Sequence, residues 1–163
     1  MKKLFLCAAF AVFGLSNVNA QDFTLGLNVG LPLGDIKDLY TLNIGADLSY
    51  LWKVSEEFNA GVTAGYSHFL GDSIDGFDID DAGFLPIAVA GRFNVTEDFT
   101  IGADLGYAVG ISPSGNDGGF YYAPKVQYAV GQSIDIVLAY KGISVDGGTF
   151  STINLGIEFG LQK

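Results

Sequence analysis

Residues 40–53 read YTLNIGADLSYLWK and alternate large apolar side chains with small or polar ones. Successive residues of a β-strand point to opposite faces, so this period of two predicts a strand with two unlike faces. One face collects aromatic and aliphatic groups, whereas the other collects Asn43, Gly45, Asp47 and Ser49. A half-buried soluble strand would carry strongly hydrophilic side chains on its solvent face. The stretch therefore predicts an apolar outside and a narrow polar inside.

The same alternation recurs seven more times, at intervals of roughly 15 to 20 residues. Eight strands of about ten residues are an even number and a suitable length for tilted strands that cross a bilayer. After residue 20 no segment approaches the roughly 18 consecutive apolar residues of a membrane-spanning helix. The sequence therefore predicts an all-β fold, a closed antiparallel eight-stranded transmembrane up-and-down β-barrel.

The first twenty residues have the three parts of a secretory signal peptide. Lys2 and Lys3 precede an apolar run at 4–15, and the small-residue pattern at 18–20 precedes Gln21. This arrangement predicts a signal peptide at 1–20, which is too short to span a bilayer, and a barrel domain at 21–163. Cys7 is removed with the signal peptide, so the barrel domain has no disulfide framework.

The charge of the barrel domain excludes one class of partner. Six basic residues stand against eighteen acidic ones once Lys2 and Lys3 are removed, a net charge near −12. Such a chain repels a phosphate backbone, so nucleic acid is not an expected partner. There is no Cys/His cluster and no glycine-rich phosphate loop before a helix, and we expect no cofactor and no metal. We also expect a monomer.

The connections between the strands alternate in length. Short turns at one end and longer loops at the other are typical of an outer-membrane barrel with both termini in the periplasm. The tight connections are 54–57, 96–98 and 131–133, and the longer ones, rich in Gly and Asp, are 35–39, 71–82, 113–119 and 142–149.

Aromatic residues of the apolar faces fall near the two ends of the strands, which predicts two girdles at the membrane interfaces. The predicted girdle at the short-turn rim consists of Tyr50, Trp52, Phe58, Phe93, Phe99 and Phe159. The predicted girdle at the long-loop rim consists of Tyr40, Tyr66, Tyr107, Tyr122 and Tyr140.

A soluble carrier of the lipocalin type is the rival at the level of the fold. It would hold its large apolar residues inside around a ligand, and its outer face would be the face of Gly, Thr, Asn and Ser. Ten glycines lie on that face, and glycine weakens a strand without improving solubility. They fit an eight-stranded interior that is only wide enough for side chains. The pattern predicts a packed polar interior rather than a ligand cavity or an open pore.

The few charges within the strands fall on the inner face. We predict that Arg92 and Asp104, on neighbouring strands, are the centre of an ion-pair and hydrogen-bond network with Lys125 and Gln127. Unpaired charges in interior water are the alternative. The predicted interior polar network consists of Asp47, Arg92, Asp104, Lys125, Gln127 and Glu158.

The mature chain as a whole resembles the bacterial outer-membrane β-barrel domain family, whose small members include OmpX and the membrane domain of OmpA. The resemblance rests on the signal peptide, the alternating strands, the segments FLPI at 84–87 and YYAPKV at 121–126, and above all the last strand. Residues of that strand are similar to the family's C-terminal assembly signal, a polar residue and a glycine followed by two alternating hydrophobics. They are Asn154, Gly156, Phe159 and Leu161.

The resemblance implies several partners and a location. The family's signal is read by the barrel-insertion machinery, so the same machinery is an expected partner, together with outer-membrane lipid and lipopolysaccharide. The expected location is the outer membrane of a Gram-negative bacterium. The chain departs from the family in one respect, because Leu161 occupies the last hydrophobic position where an aromatic is common.

The function that these observations favour is a non-enzymatic outer-membrane protein with a structural or surface-interaction role of its loops. The alternative is a lipid A-modifying enzyme that uses His68, the one histidine. Ser67 points to the opposite face of the strand, so Ser49 and a loop carboxylate such as Asp72 are the groups that could approach His68. A soluble lipocalin-like carrier is the second alternative.

The loop at 71–82 is a candidate site for a divalent cation. It carries five aspartates, and carboxylate oxygens are the ligands that calcium prefers. Their spacing does not match an EF-hand loop, and an acidic run is usually solvated. The aspartates are Asp72, Asp75, Asp78, Asp80 and Asp81.

Overall fold

The computed structural model describes residues 21–74 and 76–161, so the predicted signal peptide lies outside the described residues. These described residues form eight long strands, a short hairpin within one loop and a single 3-10 turn at Gly34–Ile36. The strands are β1 (Gln21–Leu33), β2 (Tyr40–Lys53), β3 (Phe58–Gly71), β4 (Ser73–Ile74), β5 (Phe77–Asp78), β6 (Ala82–Asn94), β7 (Phe99–Ser112), β8 (Gly119–Gly131), β9 (Ile134–Val145) and β10 (Gly148–Gly160).

The eight long strands form one closed antiparallel barrel, which confirms the predicted fold class. Each long strand pairs with the next one along the chain, and β10 returns to pair with β1 over a register that runs from Thr24↔Gly160 to Leu33↔Ser151. Closure satisfies the backbone hydrogen bonds that a sheet edge would leave unpaired in lipid.

The outer wall is apolar and the inner wall is polar. Leu48, Val89 and Leu155 are exposed on the outside, in the middle of their strands. Asn43, Asp104 and Asn154 are buried on the inside. This arrangement is the reverse of the one expected for a soluble carrier with an apolar lumen. Within the described residues, no helix is long and apolar enough to cross a bilayer.

Tyr40 does not belong to the outer wall. The pairing of β2 with β3 shifts between Tyr40 and Leu42, so Thr41 is an extra residue in the ladder. A bulge of this kind reverses the facing of the residues beyond it. Tyr40 is only 9% exposed and lies inside the barrel, with its ring centroid 5.4 Å from that of Phe150. The prediction that Tyr40 is part of the long-loop girdle is therefore wrong.

Loops of unequal length connect the strands at the end opposite the tight turns. We name them loop 1 (34–39), loop 2 (72–81) and loop 3 (113–118). The prediction of a long loop at 142–149 is wrong, because the ladder of β9 and β10 continues to the pair Val145↔Gly148. The turn is only Asp146 and Gly147, and Gly147 has a φ of 93°. Asp-Gly is a favourable sequence for a two-residue hairpin turn, which explains the short connection.

Candidate functional site

The first polar layer inside the barrel, which we name the lower network, lies toward the short-turn end. Arg92 Nη1 lies 2.7 Å from Asp104 Oδ1, and Lys125 Nζ lies 2.7 Å from Asp104 Oδ2. Lys125 Nζ also lies 3.8 Å from Glu158 Oε1, and Gln127 Nε2 donates to Glu158 Oε2 at 2.6 Å. The structure thus brings together Arg92, Asp104, Lys125, Gln127 and Glu158, with Asp104 bridging two cations.

The second polar layer, the upper network, lies nearer the long loops and is built on amides. Lys141 Nζ lies 2.7 Å from Asp47 Oδ2, and Asn28 Nδ2 donates to the same oxygen at 2.8 Å. Asn154 Nδ2 donates to Asn28 Oδ1 at 3.0 Å and to Asn43 Oδ1 at 2.9 Å. Asp47 is therefore separate from the predicted network around Arg92. In the sequence these asparagines lie on the small polar face of their strands. That position indicates that they point into the barrel, but not which side chains they contact there.

An aromatic cluster closes the interior beyond the upper network, at the long-loop end. Phe150 contacts Phe84 and Phe69, with ring centroids 4.9 and 5.1 Å apart and edge-to-face geometry. Such pairs stabilise beyond the apolar area that they bury. Ile36, from the 3-10 turn in loop 1, packs on the same cluster. We name these residues and Tyr40 the aromatic plug, because they fill the cross-section with apolar side chains.

The interior has cavities at its two ends and is packed between them. The void beside the upper network measures about 20 Å³, which is room for about one water molecule. A cavity of about 270 Å³ opens at the short-turn end, and one of about 320 Å³ lies between the plug and loop 3. The expectation of an interior without a cavity is therefore wrong at both ends, where polar side chains such as Thr24 and Asn116 line the space without filling it.

The other predicted girdle residues lie on the outer wall or at its rims. Tyr50 and Trp52 lie side by side at the short-turn rim, with ring centroids 6.2 Å apart. Tyr122 and Tyr140 are likewise 6.2 Å apart at the long-loop rim. Residues on the outer face near the short turns also include Phe58, Phe93, Phe99 and Phe159, and near the long loops Tyr66 and Tyr107.

His68 lies on the outside of β3, where it joins two other side chains near the long-loop rim. Its Nδ1 lies 3.2 Å from Tyr66 Oη, and its Nε2 lies 3.0 Å from Asp81 Oδ2. Asp72 is not a partner of His68, and Ser67 points inward to Asn43. Both imidazole nitrogens are thus engaged, and within the part of the chain that the structure describes neither contacts a serine hydroxyl.

Asp81 anchors loop 2 to the end of β3. Its Oδ1 accepts a hydrogen bond from the backbone N–H of Gly71 at 2.9 Å, while its Oδ2 faces His68. The Gly71 N–H, and after it the His68 ring, favour the charged carboxylate and lower the pKa of Asp81 below its ordinary value. The anchor fixes the base of the loop that contains the β4–β5 hairpin.

The long-loop end is strongly acidic. Among the described residues, Lys37 is the one basic side chain of the loops at this end. No group of three or more Asp, Glu, His or Cys side chains in residues 21–74 and 76–161 is arranged to hold a metal ion. The acidic residues of these loops that the structure describes are Asp35, Asp38, Asp72, Asp78, Asp80, Asp81, Asp117 and Asp146.

The residues of the predicted assembly signal divide between the two faces of β10. Asn154 is buried in the upper network, and Gly156 packs beside Asn28 on the inner face. Phe159 is on the outer face. Leu161 follows the strand and its backbone N–H donates to Phe23 O at 2.7 Å, which extends the closure of the barrel by one bond.

An eight-stranded closed barrel with an apolar outer wall, aromatic rims and a polar packed lumen defines the class of small outer-membrane β-barrels. A family model described as "Outer membrane protein beta-barrel domain" matches residues 5–160. The chain belongs to this family.

Several solved structures share the fold. The nanodisc structure of the outer membrane protein Ail of Yersinia pestis is 16% identical, covers 87% of this chain and 100% of that chain, and has a TM-score of 0.59. The crystal structure of Ail with the heparin analogue sucrose octasulfate is 17% identical, covers 86% and 97%, and has a TM-score of 0.58. A de novo designed transmembrane β-barrel is 12% identical, covers 86% and 95%, and has a TM-score of 0.56. No curated protein matches the sequence.

Proposed function

We propose that this protein is a non-enzymatic, monomeric outer-membrane protein that acts through the surface of its long loops, which face the outside of the cell. The observation that carries the proposal is the closed interior. The two polar networks and the aromatic plug leave a void of about 20 Å³ between the end cavities, far too small for a solute path. With no path through the lumen, the surfaces that can make contacts with other molecules are the two ends and the lipid-facing wall.

The charge of the loops determines which contacts this surface favours. The described loops at this end carry eight aspartates and one lysine, so they repel polyanions at distances up to the Debye length. Ail, which has a related fold, is known in complex with the polyanion sucrose octasulfate. The acidic loops of this chain would instead attract cations. We propose that its loops bind the phosphates of lipopolysaccharide through bridging divalent cations, in the structural support of the envelope.

Binding of lipopolysaccharide to the protein in nanodiscs, with and without Mg²⁺, tests the proposal. The loop variant removes one charge from each connection at the long-loop end, at positions whose side chains accept no hydrogen bond in the structure. Its substitutions are Asp38→Asn, Asp80→Asn, Asp117→Asn and Asp146→Asn. The matched control removes four charges from the short turns, by Glu56→Gln, Glu57→Gln, Glu97→Gln and Asp98→Asn.

We expect wild type and the short-turn control to bind lipopolysaccharide with Mg²⁺ and to lose it with a chelator. We expect the loop variant to bind weakly in both conditions. Binding that is independent of Mg²⁺, or equal in the two variants, would contradict the bridging role. A large stable conductance in planar bilayers would contradict the closed interior.

A lipid A-modifying enzyme is the second candidate, because His68 is held between Tyr66 and Asp81 near the long-loop rim. The described residues supply no serine or threonine hydroxyl to either imidazole nitrogen, so the usual nucleophile of acyl transfer is not in place. Mass spectra of lipid A from cells with wild type and with His68→Ala distinguish the two candidates. We expect identical spectra, and a mass difference equal to an acyl chain would favour the enzyme.

A further inference from the structure

The cavity of about 270 Å³ at the short-turn end, which we name the short-turn cavity, is walled by polar side chains from seven strands. The lower network lies above it, and above that network the lumen is packed. The cavity is therefore blind and opens only toward the short turns. Side chains that line it include Asp22, Thr24, Asn59, Arg92, Asp135 and Glu158.

One edge of the Arg92 guanidinium has no protein partner. Its Nη1 donates to Asp104 Oδ1 and to Gly91 O, at 2.7 and 2.9 Å. Its Nε and Nη2 have no acceptor among the described residues, although the residue is only 2% exposed. The one other buried side-chain atom without a partner in that part of the chain is Thr24 Oγ1. Arg92 and Thr24 both border the short-turn cavity.

The opposite side of the short-turn cavity carries excess negative charge. Six charged side chains inside the barrel are in ion pairs. Two further carboxylates that line the cavity, Asp22 and Asp135, have no ion-pair partner in residues 21–74 and 76–161. Asp135 lies directly across the β9–β10 ladder from Glu158. Like charges placed opposite each other in a ladder are destabilising. A cationic group between Asp135 and Glu158 would relieve this repulsion.

The unpartnered edge of Arg92 and the Asp135–Glu158 pair belong to opposite sides of the lumen. β6, which carries Arg92, and β10, which carries Glu158, are four strands apart in the ring of eight and so lie on opposite walls. The Nε and Nη2 edge of a guanidinium is a planar fork that matches the two oxygens of a carboxylate. We propose that the short-turn cavity binds a small zwitterion, a short peptide, with its carboxylate on Arg92 and its ammonium group between Asp135 and Glu158.

The short-turn cavity lies in the lumen, at the opposite end of the barrel from the long loops. Binding in this cavity is therefore independent of the loop function proposed above. Water satisfies single donors and acceptors, but it cannot neutralise the Asp135–Glu158 repulsion. A simple cation would neutralise that repulsion but leave the Arg92 fork with water alone and no charged acceptor. A zwitterion satisfies both walls at once, and a dipeptide is small enough for a cavity of this volume.

Titration of the labelled protein in nanodiscs with glycylglycine, followed by amide chemical shifts, tests the proposal. We expect saturable shifts at Thr24, Arg92 and Asp135. Glycylglycinamide lacks the carboxylate and N-acetylglycylglycine lacks the ammonium group, and we expect each to bind at least about tenfold more weakly, since each loses one charge-assisted contact. Putrescine, which has two ammonium groups, serves as the probe for a site that only collects cations.

Two variants assign the contacts. Arg92→Lys keeps a cation beside Asp104 and removes the fork, whereas Asp135→Asn removes the unpaired carboxylate. We expect each to reduce glycylglycine affinity at least about tenfold, while Glu97→Gln, in the turn between β6 and β7 and outside the cavity lining, leaves it unchanged. Heat-dependent gel mobility verifies that each variant is folded. Equal affinity for putrescine and glycylglycine, or no saturable shift with any probe in the folded wild type, would overturn the proposal.

Discussion

Lys141 on β9 reaches across the barrel to Asp47 on β2, and its Nζ lies 2.7 Å from Asp47 Oδ2. The two side chains are only 8% and 14% exposed. Removal of one partner of a buried ion pair leaves an uncompensated charge, whereas replacement of both partners by apolar groups is often nearly neutral. The contributions of Lys141 and Asp47 to the stability of the upper network are therefore strongly coupled.

This coupling is measurable in a double-mutant cycle. Lys141→Met alone is expected to lower the free energy of unfolding by about 3 to 5 kcal/mol, and addition of Asp47→Leu is expected to restore most of the loss. Unfolding by urea in lipid vesicles, followed by the fluorescence of the single tryptophan, Trp52, gives the values. Additive costs of the two substitutions would show that the charges are not coupled.

The outward facing of Leu48 gives a second prediction. Leu48 lies in the middle of β2 and is 46% exposed on the apolar wall. Leu48→Arg is expected to cost about 2 to 4 kcal/mol if this position is at the bilayer midplane. Thr63→Ser is the matched control on the inner face, because serine keeps the hydroxyl that donates to Leu48 O. The same unfolding assay applies, and a negligible cost of Leu48→Arg would place this face in water.

Close approach of strands gives a third prediction. A Cβ at Gly61 would clash with the carbonyl oxygen of Tyr50 on the adjacent strand, whereas a Cβ at Gly91 would lie 3.5 Å from Phe58 Cζ, an ordinary contact. Gly61→Ala is therefore expected to destabilise the barrel by about 1 to 3 kcal/mol, and Gly91→Ala is expected to be tolerated. Equal stabilities of the two variants would show that the backbone at Gly61 can move without cost.

The anchor of loop 2 depends on pH in a direction that follows from Asp81. Its pKa is below the ordinary value in the folded protein, chiefly because of the Gly71 N–H. A depressed carboxyl pKa contributes stability that is present above the unfolded-state value, about 3.9, and is lost as the pH falls through the folded-state value. The loop is expected to be anchored near neutral pH and released only in acid, at a pH below the ordinary carboxyl pKa.

Hydrogen exchange of the Gly71 amide measures this anchor. The amide is expected to be protected at about pH 6 in wild type, and protection is expected to disappear at the acid end of the range. Asp81→Asn lacks the carboxylate and is expected to show less protection at about pH 6, with Asp80→Asn as the neighbouring control. Wild-type protection in Asp81→Asn would mean that Gly71 is shielded by other contacts.

The last strand gives the fifth prediction. Residues 154–160 supply seven of the β1–β10 pairs, and we propose that Asn154, Gly156, Phe159 and Leu161 are read by the barrel-insertion machinery. A chain that ends at residue 153 is expected to accumulate unassembled in the periplasm. Cell fractionation and heat-dependent gel mobility report the outcome. Phe159→Tyr, which keeps an aromatic on the outer face, serves as the control. Normal insertion of the truncated chain would refute the assembly role.

Whether a side chain points into or out of the barrel was predictable from the sequence, because it depends on a local period of two. The alternation placed Asp104, Lys125 and Gln127 on the inner face, and the structure buries all three there. The prediction for Tyr40 was wrong because the direction of its side chain depends on a bulge. A bulge is decided by how β2 pairs with β3 rather than by β2 alone. A pattern read along one strand contains no information about that pairing.

Partners across the lumen could not be predicted in the same way. Lys141 meets Asp47 because β9 and β2 face each other at a height that is set by the stagger of all eight strands. Asn28 and Asn154 are separated by 126 residues in the chain, and nothing local to either one identifies the other. The β4–β5 hairpin was missed for a different reason, since two-residue strands are too short to show a period.

The pairing of β1 with β10 also sets the order of events during assembly. Thr24 and Gly160 are neighbours in the ladder although they lie at opposite ends of the barrel domain. Contacts so distant in sequence form slowly, because the intervening chain must be brought together first. Until then β1 presents an unpaired edge beside a row of leucines and valines, a surface that favours aggregation. Pairing with β10 is therefore the step that ends this exposure, because it covers the free edge of β1 and closes the barrel.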